Sequence, residues 1–357
     1  MTDQLYYDSI DLLRDLIASP RHSRHETEAA DLLEQYMCRT GLTPMRLHNN
    51  IIAHIGEYVP DRPTLLLNSH IDTVPAASGW TRDPYSPDII DGRLYGLGSN
   101  DAGASLVSLL AVAIYMHHHP GLHERYNIIF VASAQEEISG PEGIQAVIPT
   151  LPHIDTAIVG EPTNLNPAIA EKGLLVIDAV ITGEAAHAAT GLGGNAIYRA
   201  SDFINQLRNT DFSPISPSLG DVHLTVAQIH AGTKHNIVPD RCEMVIDVRT
   251  TDTCPNSRVL DILSANLPQY ITLAPRSTHL NASSIPEAHP LIQRLVTLGH
   301  TPYGSPTLSD QALMPWPSFK LGPGLSSRSH TPDEFILLDD IRHAQALYLT
   351  ILSHLNL

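Results

Sequence analysis

Apolar residues recur at helical spacing from Tyr6 to Ile17 and again from Glu26 to Cys38, which predicts two N-terminal helices. Apolar runs at 51–55, 64–69, 127–133 and 156–159 read as strands, with a long helical stretch from Ala102 to His118 between the second and the third. Such alternation predicts a sheet covered by helices. The run LLLNSHIDTVP at 65–75 carries His70 and Asp72 where a buried strand would emerge at its C-terminal end, the place where α/β proteins keep their chemistry.

After EPTN at 161–164 the texture changes. LLVIDAVITG predicts a strand, NAIYRASDFINQLRN a helix, VHLTVAQIHAG and RCEMVIDVRT two strands, Ser257 to Ala265 a helix, and YITLAP a last strand. That order is the split βαβ pattern of a ferredoxin-like domain. It predicts a module at 173–280 inserted into a first domain made of 1–172 and 281–357. The returning segment supplies a helix from His289 to Gly299, a Pro/Gly/Ser-rich stretch, and a final helix in DDIRHAQALYLTILSHL.

Composition removes several function classes. The 357 residues include 21 basic and 38 acidic ones, a formal net charge of −17, and no Lys/Arg-rich run, so no nucleic-acid partner is expected. No stretch reads as the roughly 18 consecutive apolar residues of a membrane helix, and MTDQLYYDSIDLLRDLIASP lacks the basic and apolar regions of a secretory signal. Cys38, Cys242 and Cys254 form no CxxC pair, so a cytoplasmic protein without disulfides is expected.

The candidate chemistry lies at predicted strand ends and loops: His70, Asp72, Asp101 in GLGSNDAGA, Glu136 and Glu137 in SAQEEISG, Glu161 in VGEPT, and His330 in SRSHTPDE. Two imidazoles with several carboxylates make the ligand set of a zinc-type hydrolytic site, large enough for two metals. Consecutive residues on a strand face opposite sides, so Glu136 and Glu137 are expected at a strand end or turn. GLGSND has the G-x-G of a dinucleotide turn, but Asp101 takes the third glycine's place; the glycines instead shape a turn that presents Asp101 at a helix start, where a carboxylate also caps free N–H groups. His117, His118 and His119 suit a helix C-terminus. Lys320, one of three lysines, reads as a solvated side chain, with contact to an acyl carboxylate as the alternative.

Seven motifs in order over nearly the whole chain, SHIDTVP, GRLYGLGSNDAG, AQEEISG, GEPT, the HA of GEAAHAAT, HNIVPDRCEMVIDVR and LGPGLSSRSHTPDE, resemble the M20 family of dinuclear metallohydrolases. The resemblance implies an α/β, mixed-sheet, zinc-peptidase-like catalytic domain with an inserted ferredoxin-like α+β lid and dimerisation domain. It implies two Zn²⁺ per subunit, with Co²⁺ and Mn²⁺ sharing the same ligands. Asp101 would bridge both metals, His70 and Glu161 would complete one site, and Glu137 and His330 the other. Two divalent cations against these three carboxylates leave about one positive charge.

On the same resemblance, the Asp72 carboxylate accepts the imidazole proton of His70 and makes its other nitrogen a better ligand. Glu136 is the general base, and His187 reaches the active site of a partner subunit to steady the oxyanion. Asn236 and Arg249 bind the substrate carboxylate, for which Arg's planar fork is suited, and Gly322 lets a backbone N–H approach the ligand.

The implied activity is hydrolysis of an N-acyl amino acid by a homodimer: N-acetylornithine, N-succinylornithine or an N-acylcitrulline in arginine biosynthesis. SNDAGAS, SPTLSDQAL and GPG with SRSHT are similar to the acetylornithine deacetylase branch, and Ala102 stands where many relatives have Lys. Succinyl-diaminopimelate desuccinylase and metallodipeptidase are the alternatives within the family. A non-catalytic metal-binding regulatory protein is the alternative outside enzymes.

Overall fold

Leu65, Leu66 and Leu67 are all fully buried, because the strand Thr64–His70 is covered on both faces. Leu65 and Leu67 join one apolar core with the helices Asp3–Ala18, Thr27–Arg39, Ala104–His118 and Leu338–Leu352. Leu66 joins a second core on the other face, with Ile144 and Val147 of a short helix. The computed structural model describes residues 3–357.

Thr64–His70 lies between two parallel neighbours, Asn127–Ser133 and Thr156–Val159, with Leu65 opposite Ile128 and Thr156 and His70 opposite Ser133. Ser318–Lys320 pairs parallel to Thr156–Val159, and Asn50–Ile55 runs antiparallel to Asn127–Ser133, so the sheet is mixed. Four parallel strands therefore end together, and the segments leaving them carry Asp72, Glu136, Glu137, Glu161 and Gly322.

The segment Ser99–His118 is long and apolar enough on average to cross a membrane, although Ser99, Asn100, Asp101, Ser105 and Ser108 interrupt it, so it is not an unbroken apolar run. Its most apolar stretch is 89% buried within the protein, as befits a core helix that is hydrophobic all round.

The chain divides into two compact units. One runs to Ile169 and resumes at Ser284–Tyr303 and Ser309–Leu357; the other is Ala170–Ser283 with Gly304–Leu308. These divides lie a few residues from the expected ones, with 304–308 joining the second unit. That unit has a four-stranded antiparallel sheet in the order His223–Ala231, Arg241–Thr250, Gly173–Thr182, Ile271–Pro275. Alternate residues Leu175, Ile177, Ala179 and Ile181 enter its core with Ala200 and Phe203 of the helix Ala196–Arg208 and Val259 and Leu263 of Asn256–Ser264. This is the ferredoxin-like arrangement that the alternation predicts. All three cysteines are free.

Candidate active site

His70 ends its strand almost fully buried. Its Nδ1 lies 3.0 Å from the main-chain oxygen of Asp72 and 3.5 Å from Asp72 Oδ1. The proton on Nδ1 therefore goes chiefly to the carbonyl, and Nε2 is the nitrogen turned toward the carboxylates. Nε2 faces three carboxylates: Asp101 Oδ1 at 3.3 Å, Glu161 Oε1 at 3.8 Å and Glu136 Oε2 at 4.0 Å.

The Asp72 carboxylate has a further task besides facing His70. Its Oδ1 accepts the N–H of Glu136 at 3.0 Å, and its Oδ2 accepts the N–H of Glu137 at 3.2 Å and the Ser23 hydroxyl at 2.6 Å. It thus pins the short 3₁₀ turn Glu136–Ile138, flanked by left-handed Gln135 and Ser139, that allows two consecutive glutamates to serve one site. Glu26, also buried, accepts the N–H of Gln135 at 3.3 Å and braces the same turn.

Asp101 faces two histidines. Its Oδ1 is toward His70, and its Oδ2 lies 3.7 Å from His330 Nε2. His330 Nε2 is also 3.0 Å from Glu137 Oε2. Asp101 makes no helix-capping hydrogen bond, so the capping reading does not apply. His70, Asp101, Glu136, Glu137, Glu161 and His330 converge, although they come from segments up to 260 residues apart, from His70 to His330.

The protonation of this cluster follows from its burial. Desolvation alone would lower the His70 pKa, but hydrogen bonds to Asp101 and Asp72 and the charges of Glu136 and Glu161 raise it well above the usual value. Desolvation raises Glu136 strongly and Glu161 to about 8; neighbouring carboxylates add to the rise and the His70 charge opposes it. The hydrogen bond to Glu137 lifts His330 to about 9. Carboxylates gathered at these distances repel one another, and divalent cations would relieve that repulsion. His70 with Glu136 and Glu161, and His70 with Asp101 and Glu137, each offer donor atoms within 4.8 Å of one another, so the donor set fits metal ions.

Gly322 is required for packing. A Cβ there would lie 2.2 Å from Ser105 Oγ and 2.5 Å from the Glu161 main-chain oxygen. Its own N–H is donated to Thr163 Oγ1 at 3.1 Å, which helps to seat the Glu161 loop. Lys320 is 2% exposed, which overturns the reading of a solvated lysine. His117, His118 and His119 each bond to backbone atoms, at Gly56, Thr40 and Tyr115.

In the second unit, His187 and Asn236 lie on adjacent exposed loops: the Ala188 N–H is donated to the Asn236 carbonyl, and His187 pairs with Ile237. These loops meet the start of the strand Arg241–Thr250 through Gly183 to Asp240 and Val238 to Ala186. Arg249 stands at the other end, about 27 Å along an extended strand, where its guanidinium makes two hydrogen bonds to Asp247 at 2.9 and 3.2 Å. His187 and Asn236 are thus together and Arg249 is apart.

A convergent set of imidazoles and carboxylates at the ends of parallel strands defines a metallohydrolase of the α/β class, and residues 66–354 match the model of peptidase family M20/M25/M40. The chain belongs to that family, as an amidohydrolase. It is similar to the acetylornithine deacetylase of Edwardsiella ictaluri, 28% identical over 375 residues that cover 97% of each chain. Among solved structures, a tripeptidase from Staphylococcus aureus superposes with a TM-score of 0.78 at 20% identity, over 97% of both chains. A Bacillus subtilis protein described as a dinuclear metal-binding peptidase of the M20 family does so with a TM-score of 0.72 at 17% identity, over 98% of both.

Several residues at the site escape sequence reasoning. Ser23, Glu26, Arg21 and Glu334 act through main-chain groups or through Asp72, so no motif spacing marks them; Glu334 lies unremarked inside SRSHTPDE.

Proposed function

We propose that this protein is a dinuclear metal-dependent deacylase that hydrolyses the amide of an N-acyl amino acid, with N-acetylornithine or its N-succinyl or citrulline analogues as the substrate class. The observation that carries the reading is Asp101, whose two carboxylate oxygens face different imidazoles, His70 and His330. Glu161 would complete the ligand set beside His70 and Glu137 the set beside His330. The similarity to acetylornithine deacetylases over almost the full length supports the substrate class. Zn²⁺ suits the imidazole and carboxylate donors, and Co²⁺ and Mn²⁺ accept them too.

When bound, two divalent cations polarise an amide carbonyl and can bring the pKa of water from 15.7 to about 7. Glu136, held by the Asp72 clamp at the edge of the cluster, takes the proton of the attacking water on its carboxylate. As the C–O bond forms and the C–N bond breaks, Glu136 returns that proton to the leaving nitrogen, releasing a carboxylate and the free amino acid.

We assign oxyanion stabilisation to His187 and substrate-carboxylate binding to Asn236 and Arg249. Because His187 and Asn236 lie at the opposite strand end from Arg249, one second unit cannot bring all three to one small substrate. Two copies in a homodimer can, with His187 and the adjacent Asn236 supplied by the partner subunit and Arg249 by the subunit that holds the metal ligands.

The test is initial rates of amide hydrolysis by zinc-loaded protein on N-acetylornithine, N-acetylcitrulline, N-succinylornithine, N-succinylcitrulline and N-succinyl-diaminopimelate, with a metal-stripped control. A metal-dependent preference for an ornithine or citrulline derivative is expected. Preference for the diaminopimelate compound would assign a desuccinylase, and inertness of all five would remove the deacylase reading.

A further inference from the structure

Asp101 needs an explanation of its own. It is the acid that faces both histidines, yet it sits inside the irregular helical turn Ser99–Gly103, with a non-helical backbone of its own. The support comes from the far end of the chain. Glu334 is 2% exposed, and its carboxylate gathers three main-chain amides of that segment: Oε1 accepts the N–H groups of Asn100 at 2.8 Å and Asp101 at 2.9 Å, and Oε2 accepts that of Gly98 at 3.0 Å. The main-chain oxygen of Glu334 takes a fourth, from Gly96, at 3.0 Å.

A second strut runs beside it. Asn100 makes a reciprocal pair with Leu325, its Nδ2 donating to the carbonyl and its Oδ1 accepting the N–H, both at 3.0 Å. Leu325 and Glu334 flank His330 in sequence. His330 adopts a left-handed backbone, φ 60°, which is unfavourable for a non-glycine residue and persists where neighbours hold it.

A buried carboxylate is costly unless bonded and balanced by charge. The balance is Arg21, 3% exposed, whose guanidinium donates to the carbonyls of Gly98, at 3.1 Å, and Leu16. Its positive charge acts on both Glu334 and Asp72. Gly98 has φ 74°, and a Cβ there would come within 2.5 Å of Arg21 Nη2, so this position needs glycine on two counts.

We propose that Glu334 is a positioning residue that fixes Asp101 relative to His330, making the ligands from the two ends of the chain one preorganised unit. The role requires a carboxylate: both oxygens accept N–H groups, so an amide in its place would turn an NH₂ toward one of them. The proposal rests on the metal-centre reading above.

The experiment is titration of metal-stripped protein with Co²⁺ in competition with a chromophoric chelator, recording the visible Co²⁺ spectrum, for wild type, Glu334→Gln and Glu334→Asp. Glu334→Gln is expected to weaken both equivalents together, by about 10- to 100-fold, and to shift the Co²⁺ bands. Glu334→Asp, which keeps both acceptor oxygens, is expected to fall between it and wild type. Wild-type affinity and spectrum in Glu334→Gln overturn the proposal. Should that variant fail to fold, Asn100→Ala removes only the second strut; a shifted spectrum with weaker binding supports the proposal, and wild-type behaviour overturns it. A wild-type protein that binds fewer than two ions would remove the metal-centre reading itself, which is a different result from two ions bound equally well by wild type and variant.

Discussion

Asp72 holds His70 through its backbone: the imidazole Nδ1 is 3.0 Å from the Asp72 carbonyl oxygen and 3.5 Å from its carboxylate, which instead receives the N–H groups of Glu136 and Glu137. Asp72→Asn should leave the carbonyl contact in place and set an NH₂ against one glutamate N–H. The expected result is a loss in kcat of about 10- to 100-fold, with bound metal close to wild type. Measured together, kcat and metal content decide the matter, and an unchanged kcat would contradict the clamp.

Glu136→Gln removes the proton carrier without changing size. It should lower kcat by about 10² to 10⁴ while both metals remain bound, because the proposed ligands are His70, Asp101, Glu137, Glu161 and His330. Full turnover in this variant would end the general-base assignment.

The metal-stripped protein should lose stability as pH rises. Glu161, raised by burial from 4.5 to about 8, keeps a proton in the folded state that the unfolded chain has released, so stability falls across that window. His330, raised by Glu137 from 6.5 to about 9, contributes stability fully present below pH 6.5 and lost as pH climbs through the folded value. Asp72 and Asp101 are lowered despite burial, by His70, and act only at the acid end. The thermal midpoint of chelated protein should therefore drop between pH 5 and 9, and saturating zinc should flatten the drop, since metal binding favours the deprotonated ligands. A chelated midpoint that rises over this range would refute the assignment.

If His187 works in the partner's site, two inactive variants should repair each other. His187→Ala and Glu136→Ala subunits, unfolded and refolded together, should form heterodimers with one intact site, giving about a quarter of wild-type turnover for a random mixture. No recovery despite heterodimers detected by mass would place His187 in its own subunit's site or outside the chemistry.

Much of this was legible in the sequence because burial and spacing are local. LLLNSH marks a strand covered on both faces and the polar residues at its end, and adjacent Glu136 and Glu137 require a turn, which is what they occupy. The spacing of His70 and Asp72 predicts their proximity but cannot show that the Asp72 carbonyl lies nearer to Nδ1, at 3.0 Å, than its carboxylate at 3.5 Å. Lys320 looks like any scarce lysine until the strand Ser318–Lys320 is seen to be wholly buried. Glu334 and Arg21 serve main-chain groups far away in sequence, and main-chain groups leave no residue signature. The helix Ala104–His118 was legible from its apolar run, because only the polar start at Ser99, Asn100 and Asp101 departs from it.

The most direct test of the central claim is the return of N-acetylornithine hydrolysis as zinc is titrated into chelator-stripped protein, with the metal bound per subunit counted at each point. Activity that rises to a plateau at two zinc ions per subunit, and is absent without metal, is the predicted result. Two bound ions without hydrolysis of any N-acyl amino acid, or full activity in the stripped protein, would contradict the account.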